Sequence, residues 1–251
     1  MTNNLTIRSL IKKNIDYILH PIGLTIERYF GDNLDLKKII KIANSLEIDL
    51  LLDIGANRGQ YAERMIKSGF NKKILSFEPL NDAHKELSIL AGFYTNWDVY
   101  QKCAVGDIDG IAQIQISENE YSSSILKVNP NHLSIAPQAK TIKSETVNLI
   151  RLDSISDKLD ARNLFIKIDT QGFEDRVLHG CSEKILKRTE VIQIELSLLE
   201  LYSGSLRFDQ MISFLKNLGF EPLFFSPGFT DRSTNEIQQL DGFFIRSGLK
   251  K

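Results

Sequence analysis

The chain has 251 residues, 42% of them apolar and 25% charged, with a formal net charge of -1. That is enough for one good-sized core with at most a small appendage, and the charge balance gives no broad basic footprint to draw in nucleic acid or an anionic membrane. Two cysteines, Cys103 and Cys181, are too few for a disulfide framework and lack the paired spacing of a zinc site, so a reducing, cytoplasmic setting is expected.

No signal-type apolar core opens the chain, and no run approaches the ~18 residues of a membrane span. Ile7, Leu10, Ile11, Ile15, Ile18 and Leu19 share one face of a helical pattern, with Lys12 and Lys13 on the other. Docking of that face on the protein's own core or on a second copy is expected. "HPIG" and "FGDN" then punctuate the chain, which sets a leading segment 1–34 apart from a main domain 35–251.

From there strands and helices alternate. Leu36, Ile39, Ile40 and Ala43 predict a helix, "DLLLDI" a buried strand and "GANRG" a tight loop. Tyr61, Ala62, Met65 and Ile66 mark a second helix stopped by Gly69. "KKILSFE" is the next strand, and "NDAHKELSILA" a helix with Asn81 as its N-cap. "WDVYQKCAV" reads as a third strand, and the clean alternation of "IAQIQIS" as a strand outside the parallel series. Residues 118–146, rich in Ser, Asn and Pro, read as a loop that could cover a site. "LFIKID", "FEDRVLH", "EVIQIEL" and "FDQMISFLKNLG" continue the alternation. "FEPLFF" and "DGFFIR" close it as an antiparallel pair. Such an order predicts an α/β fold, doubly wound, with a mostly parallel sheet covered on both faces.

In that fold ligands bind beyond the carboxyl ends of the strands, where strand order reverses. The first loop carries Gly55 and Gly59, but Asn57 and Gln60 stand where the nicotinamide fingerprint needs its second and third glycines. Asp53, just before the loop, would repel a pyrophosphate. It suits a ligand with an ammonium or a sulfonium, and S-adenosylmethionine has both. Glu78 ends the second strand about 25 residues on, close to the ~20 expected of an acid that grips ribose hydroxyls. The end of the third strand, around Ala104, is where an adenine would meet small apolar groups.

"DIGANRGQY", "SFEP", "RLDSI", "FIKIDTQGFEDRVLHG" and "IQIELS" occur in that order over roughly residues 49 to 200. In this the chain resembles the FkbM family of S-adenosylmethionine-dependent methyltransferases. The resemblance implies a Rossmann-like, class I methyltransferase fold, with a seven-stranded, mostly parallel sheet and a C-terminal antiparallel strand. It implies methyl transfer to oxygen of a saccharide or glycosylated metabolite. On the matching positions, Asp53, Gly55, Ala56, Asn57, Gly59, Gln60, Glu78 and Pro79 would hold the cofactor. One departure stands out: the family loop often reads D-x-E-G, and Gln171 occupies the place of that Glu.

The strand that ends at Asp169 is expected beside the first, with Asp169 aimed at the cofactor mouth. Phe165, Lys167 and Asp169 would share one face and Ile166 and Ile168 the other. A lysine on a buried strand needs a partner, and Glu195 on the following strand is the expected one. Asp169 is the expected base or orienting group for the acceptor hydroxyl, with Glu174 second. Gln171 and Ser123 (from "YSSS") are expected to bind the acceptor, and no metal cage is recognisable. Two other readings compete: a nicotinamide oxidoreductase, disfavoured by Asp53 and Asn57, and a nucleoside-binding protein without turnover.

Overall fold

The computed structural model describes residues 31–231 and 234–249, with side chains from residue 34. The amphipathic stretch Ile7–Leu19, with its expected docking or oligomer role, lies outside the described residues. By compactness the chain divides into two units, Met1–Asp35 and Leu36–Lys251, and the second carries both sheets and the candidate site.

The helix α1 (Gly31–Ser45) begins inside "FGDN", which the sequence reads as a break. Next come β1 (Leu50–Ile54), α2 (Gln60–Lys67), β2 (Lys73–Phe77), α3 (Asn81–Ala91) and β3 (Trp97–Val99). Then follow β4 (Ala104–Val105), β5 (Gly110–Ser117), α4 (Pro130–Ile135), β6 (Thr141–Ile150), β7 (Leu164–Ile168), α5 (Glu174–His179) and α6 (Glu183–Leu186). The chain closes with β8 (Thr189–Ser197), α7 (Phe208–Asn217), β9 (Phe220–Pro227) and β10 (Gln239–Arg246).

Seven strands form the main sheet in the order β3-β2-β1-β7-β8-β10-β9, and β10 runs antiparallel to both its neighbours. Every residue of β1 and of β7 is buried, as expected of central parallel strands covered on both faces. Side-chain alternation sorts them. Leu52, Ile54, Ile166 and Ile168 pack with Val177 of α5 and Met211 and Leu215 of α7. Leu51 and Phe165 pack on the opposite face with Ile39, Ala62, Met65 and Leu87. Strand order reverses at β1, which lies between β2 and β7, so the loop after β1 and the end of β7 are brought together.

Three sequence expectations are corrected. "WDVYQKCAV" is not one strand: β3 stops at Val99, the chain bends at Gln101 and Lys102, and β4 leaves for a second sheet of order β4-β6-β5. Residues 118–146 are not all loop, since they contain α4 and the first half of β6. Only Val147 and Leu149 of β6 are buried, and a strand so wet has the composition of a loop. Asn81 does not cap α3. Leu80 holds that place, fixed by burial and by its N–H, which donates to Glu78 Oε1 at 2.8 Å.

Candidate active site

The chain must turn sharply after β1, and three residues take left-handed backbone there: Gly55 (φ 73°), Asn57 (φ 49°) and Gly59 (φ 90°). At Gly55 a Cβ would lie 1.9 Å from the Asp169 carbonyl oxygen, so only glycine lets the loop run against the end of β7. At Gly59 a Cβ would come within 2.7 Å of the Trp97 ring. Ala56 is buried, and its N–H donates to the Phe77 carbonyl.

Glu78, 4% exposed just past β2, braces this loop from below. Its Oε2 accepts the Asn57 N–H at 2.8 Å and its Oε1 accepts the Leu80 N–H. Burial pushes its carboxyl up to about 7, against the pull of those two N–H groups. Gln60 opens α2, and its Nε2 reaches Asn57 Oδ1 at 3.4 Å while its buried Oε1 has no hydrogen-bond partner among the described residues. Pro79 is half-buried beside Glu78. Ala104 packs with Leu80 and Ala83 from the second sheet.

Asp53 is fully buried, and the chain itself supplies a cation for it. Lys167 Nζ lies 3.3 Å from Asp53 Oδ1 and 3.5 Å from Asp169 Oδ2, and it donates to the Gly55 carbonyl at 3.1 Å. Ser76 Oγ donates to Asp53 Oδ2 at 3.2 Å. Burial alone would lower the lysine's pKa, but the Asp53 and Asp169 carboxylates hold it above the ordinary value. The expected Lys167–Glu195 pair is therefore corrected. Strand register places Gln193 opposite Lys167, and Glu195 stands two residues further on. Gln193 Oε1 instead accepts the Tyr61 hydroxyl at 2.5 Å.

Beyond β7 lies the loop Asp169–Gly172, where Gln171 (φ 57°) and Gly172 (φ 95°) are both left-handed. Glu174, buried at the start of α5, gathers this loop: its Oε1 accepts the Thr170 N–H and the Gly172 N–H at 3.0 Å each and Thr170 Oγ1 at 3.2 Å. Burial nevertheless pushes its carboxyl up to about 7. Asp169, by contrast, has 41% of its side chain exposed. Gln171 Nε2 donates to Asp169 Oδ1 at 2.8 Å and to Glu195 Oε2 at 2.9 Å. The Tyr202 hydroxyl lies 2.8 Å from Gln171 Oε1 and 3.1 Å from the Ser122 carbonyl. Asp241 sits opposite Glu195 in the β8–β10 pairing, and burial together with the Asp169 charge pushes it up to about 6.

Of the "YSSS" stretch, Ser124 rather than Ser123 reaches the site, its Oγ donating to the Gln171 carbonyl at 2.7 Å. Ser123 Oγ accepts the Ser117 N–H. Sequence reasoning passed over Tyr202, which sits in no motif or periodic element, and within "YSSS" it singled out Ser123 where nothing in the sequence separates the three serines. Just before that stretch Glu120 is tied to the glycine loop through Arg58, 2.7 Å away. Among the described residues, no group of three or more His, Cys, Asp or Glu side chains could hold a metal, and no helix is long and apolar enough to cross a membrane.

A glycine loop wedged against the end of β7, an acid bracing it from β2, and an order reversal between them define the class I methyltransferase fold at its cofactor end. Residues 53–222 match the family described as "Methyltransferase FkbM domain". The chain belongs to that family and is an S-adenosylmethionine-dependent methyltransferase. No curated protein matches it. Among solved structures it is similar to magnesium protoporphyrin IX methyltransferase (ChlM) from Synechocystis PCC 6803 with bound SAM, at 9% identity over 95% of this chain and 96% of that one, TM-score 0.48. It is also similar to the 1,6-didemethyltoxoflavin-N1-methyltransferase of Burkholderia thailandensis, at 11% identity over 98% and 92% of the two chains, TM-score 0.43.

Proposed function

We propose that this chain methylates a hydroxyl oxygen of a saccharide or glycosylated metabolite, with Asp169 as the base. The observation that carries the reading is the contrast among the acids. Asp53, Glu78 and Glu174 are buried, whereas Asp169 opens to solvent next to the glycine loop. A base must be reachable by the proton it takes, and Asp169 meets that requirement. Glu174, with its Oε1 engaged by three donors of the Asp169 loop, shapes that loop. The saccharide class is supported by the family resemblance, and a small acceptor rather than a nucleic acid by the net charge of -1. Free, buried Cys103 and Cys181 support a reducing, cytoplasmic setting.

The cofactor end fits S-adenosylmethionine. Gln60 Oε1 is a buried acceptor in want of a donor, and Glu78 keeps a further lone pair on each oxygen. When bound, that cofactor supplies a methyl carbon made electrophilic by its sulfonium. Gly59, Gln60 and Glu78 would hold it. Asp169 takes the proton the acceptor hydroxyl gives up, and Lys167, within 3.5 Å, steadies the carboxylate beforehand. A positioned base of this kind contributes roughly 10²–10⁴-fold.

The test joins calorimetry to turnover. Wild type is expected to bind S-adenosylmethionine saturably and Glu78→Ala to bind it far more weakly. In a saccharide acceptor screen, Asp169→Asn should bind the cofactor normally and lose roughly 10²–10⁴-fold in turnover. Near-normal turnover of Asp169→Asn would remove Asp169 as base. Methylation of amines alone would overturn the hydroxyl acceptor.

A further inference from the structure

We propose that Gln171 is a positioning residue, whose carboxamide ties Asp169 and Glu195 into one oriented pair while Tyr202 fixes which way the amide faces. A carboxamide has two N–H donors and one carbonyl. Here both donors are engaged inside the protein, at 2.8 Å to Asp169 Oδ1 and 2.9 Å to Glu195 Oε2, and the carbonyl meets the Tyr202 hydroxyl at 2.8 Å. That leaves no free N–H for an acceptor molecule, so the residue serves the site's own carboxylates.

The amide orientation follows from its surroundings. Asp169 Oδ1 and Glu195 Oε2 on one side take the two N–H donors, and on the other the Tyr202 hydroxyl, whose one proton is shared between Gln171 Oε1 at 2.8 Å and the Ser122 carbonyl at 3.1 Å, lies nearer the amide oxygen. The flipped amide would turn its carbonyl toward both carboxylates. The backbone is fixed as tightly: Ser124 Oγ donates to the Gln171 carbonyl at 2.7 Å, and the space a Cβ would need at Gly172 is filled by Tyr202. A left-handed φ of 57° at a non-glycine residue persists where its neighbours over-determine it.

Charge explains why an amide suits this place. Glu195 faces Asp169 and Glu174 from the β7–α5 segment and Asp241 from β10, with Lys167 as the opposing cation. Burial first, and then those carboxylates, hold its carboxyl well above the usual range. A glutamate at 171 would add one more negative charge, whereas the glutamine gives each of two carboxylates an N–H. The tie does not depend on which carboxylate takes the acceptor's proton.

The experiment is a carboxyl-carbon NMR titration of the full chain, with the Glu195 resonance assigned by its absence in Glu195→Gln. Gln171→Met keeps the length and removes both donors, and should raise the Glu195 midpoint by about one pH unit. Gln171→Glu should raise it further, and Tyr202→Phe by less than Gln171→Met. A Gln171→Met protein that melts as wild type does and leaves the Glu195 midpoint unmoved overturns the proposal. If Gln171→Met does not fold, Tyr202→Phe decides, and an unmoved Glu195 midpoint there overturns it as well. Since no turnover is needed, this outcome is separable from the fate of Asp169 as base.

Discussion

The two halves of the candidate site are held by different kinds of bond. At the cofactor end the donors are backbone N–H groups, Asn57 and Leu80 to Glu78, and the shape comes from glycines and one asparagine within five residues of chain. Around Asp169 side chains hold side chains: Gln171 to Asp169 and Glu195, Tyr202 to Gln171, with Ser124 closing on the backbone. Gln171 and Tyr202 are 31 residues apart, and Ser124 and Gln171 are 47 apart. A backbone-built site needs a short stretch with the right glycines. A side-chain site needs four segments to arrive together, so a change in any one of them alters its chemistry.

The two ends share Gly55, and breaking that joint should have the largest effect. In Gly55→Ala the new Cβ meets the Asp169 carbonyl at 1.9 Å with φ at 73°. Overpacking and backbone strain together should cost ~5 kcal/mol, read by urea unfolding. Cofactor binding and turnover should fall together. Loss of one without the other would show that the ends are less tightly joined than their packing implies.

Next comes the ion pair beneath the joint. Asp53→Ala leaves buried Lys167 with Asp169 as its remaining carboxylate partner within ion-pair distance, and breaking such a pair costs about 3–5 kcal/mol. Asp53→Asn should cost less, because the amide oxygen can still face the ammonium. If Asp53→Ala melts like wild type, Asp53 serves the ligand rather than the fold.

These two cases mark what the sequence made legible. Most of the strands, and the placement of Asp53, Gly55 and Glu78 at or just past their carboxyl ends, followed from apolar runs and glycine spacing, because those signals are local; the strand order about β1 came with the fold that the family resemblance implies. Lys167 was correctly seen to need a partner, but the partner was misplaced, since pairing across strands depends on a register that "LFIKID" and "EVIQIEL" do not state. The Gln171 departure was visible as an oddity. Its meaning required Tyr202, which lies outside any periodic element, and Ser124, which is indistinguishable by sequence from Ser122 and Ser123.

Burial without a counter-charge should show as a pH effect. Glu174 has an ordinary value of 4.5 and is pushed up to about 7 in the fold. A raised carboxyl favours the protonated folded state. Its contribution is therefore present in full below about pH 4.5 and is lost as pH rises through 7. Relative to Glu174→Gln, which cannot titrate, wild type should lose ~2–3 kcal/mol across that window. Melting curves of both proteins at several pH values test this, and parallel pH profiles would show that the three donors at its Oε1 outweigh burial.

The smallest effect is expected where the ends are joined from outside. Arg58, in the glycine loop, pairs with Glu86 of α3 and with Glu120, and all three side chains are partly exposed. Exposed pairs contribute little to global stability and are screened by salt. Arg58→Ala should therefore leave the melting midpoint almost unchanged. It should instead speed hydrogen exchange at residues 119–122, which lose their tie to the glycine loop, while Ser124 stays held by Gln171 and Gln115. High salt should make wild type resemble the variant in that segment. Equal exchange in both proteins would mean that Tyr202, through the Ser122 carbonyl, holds the segment without help from the cofactor end.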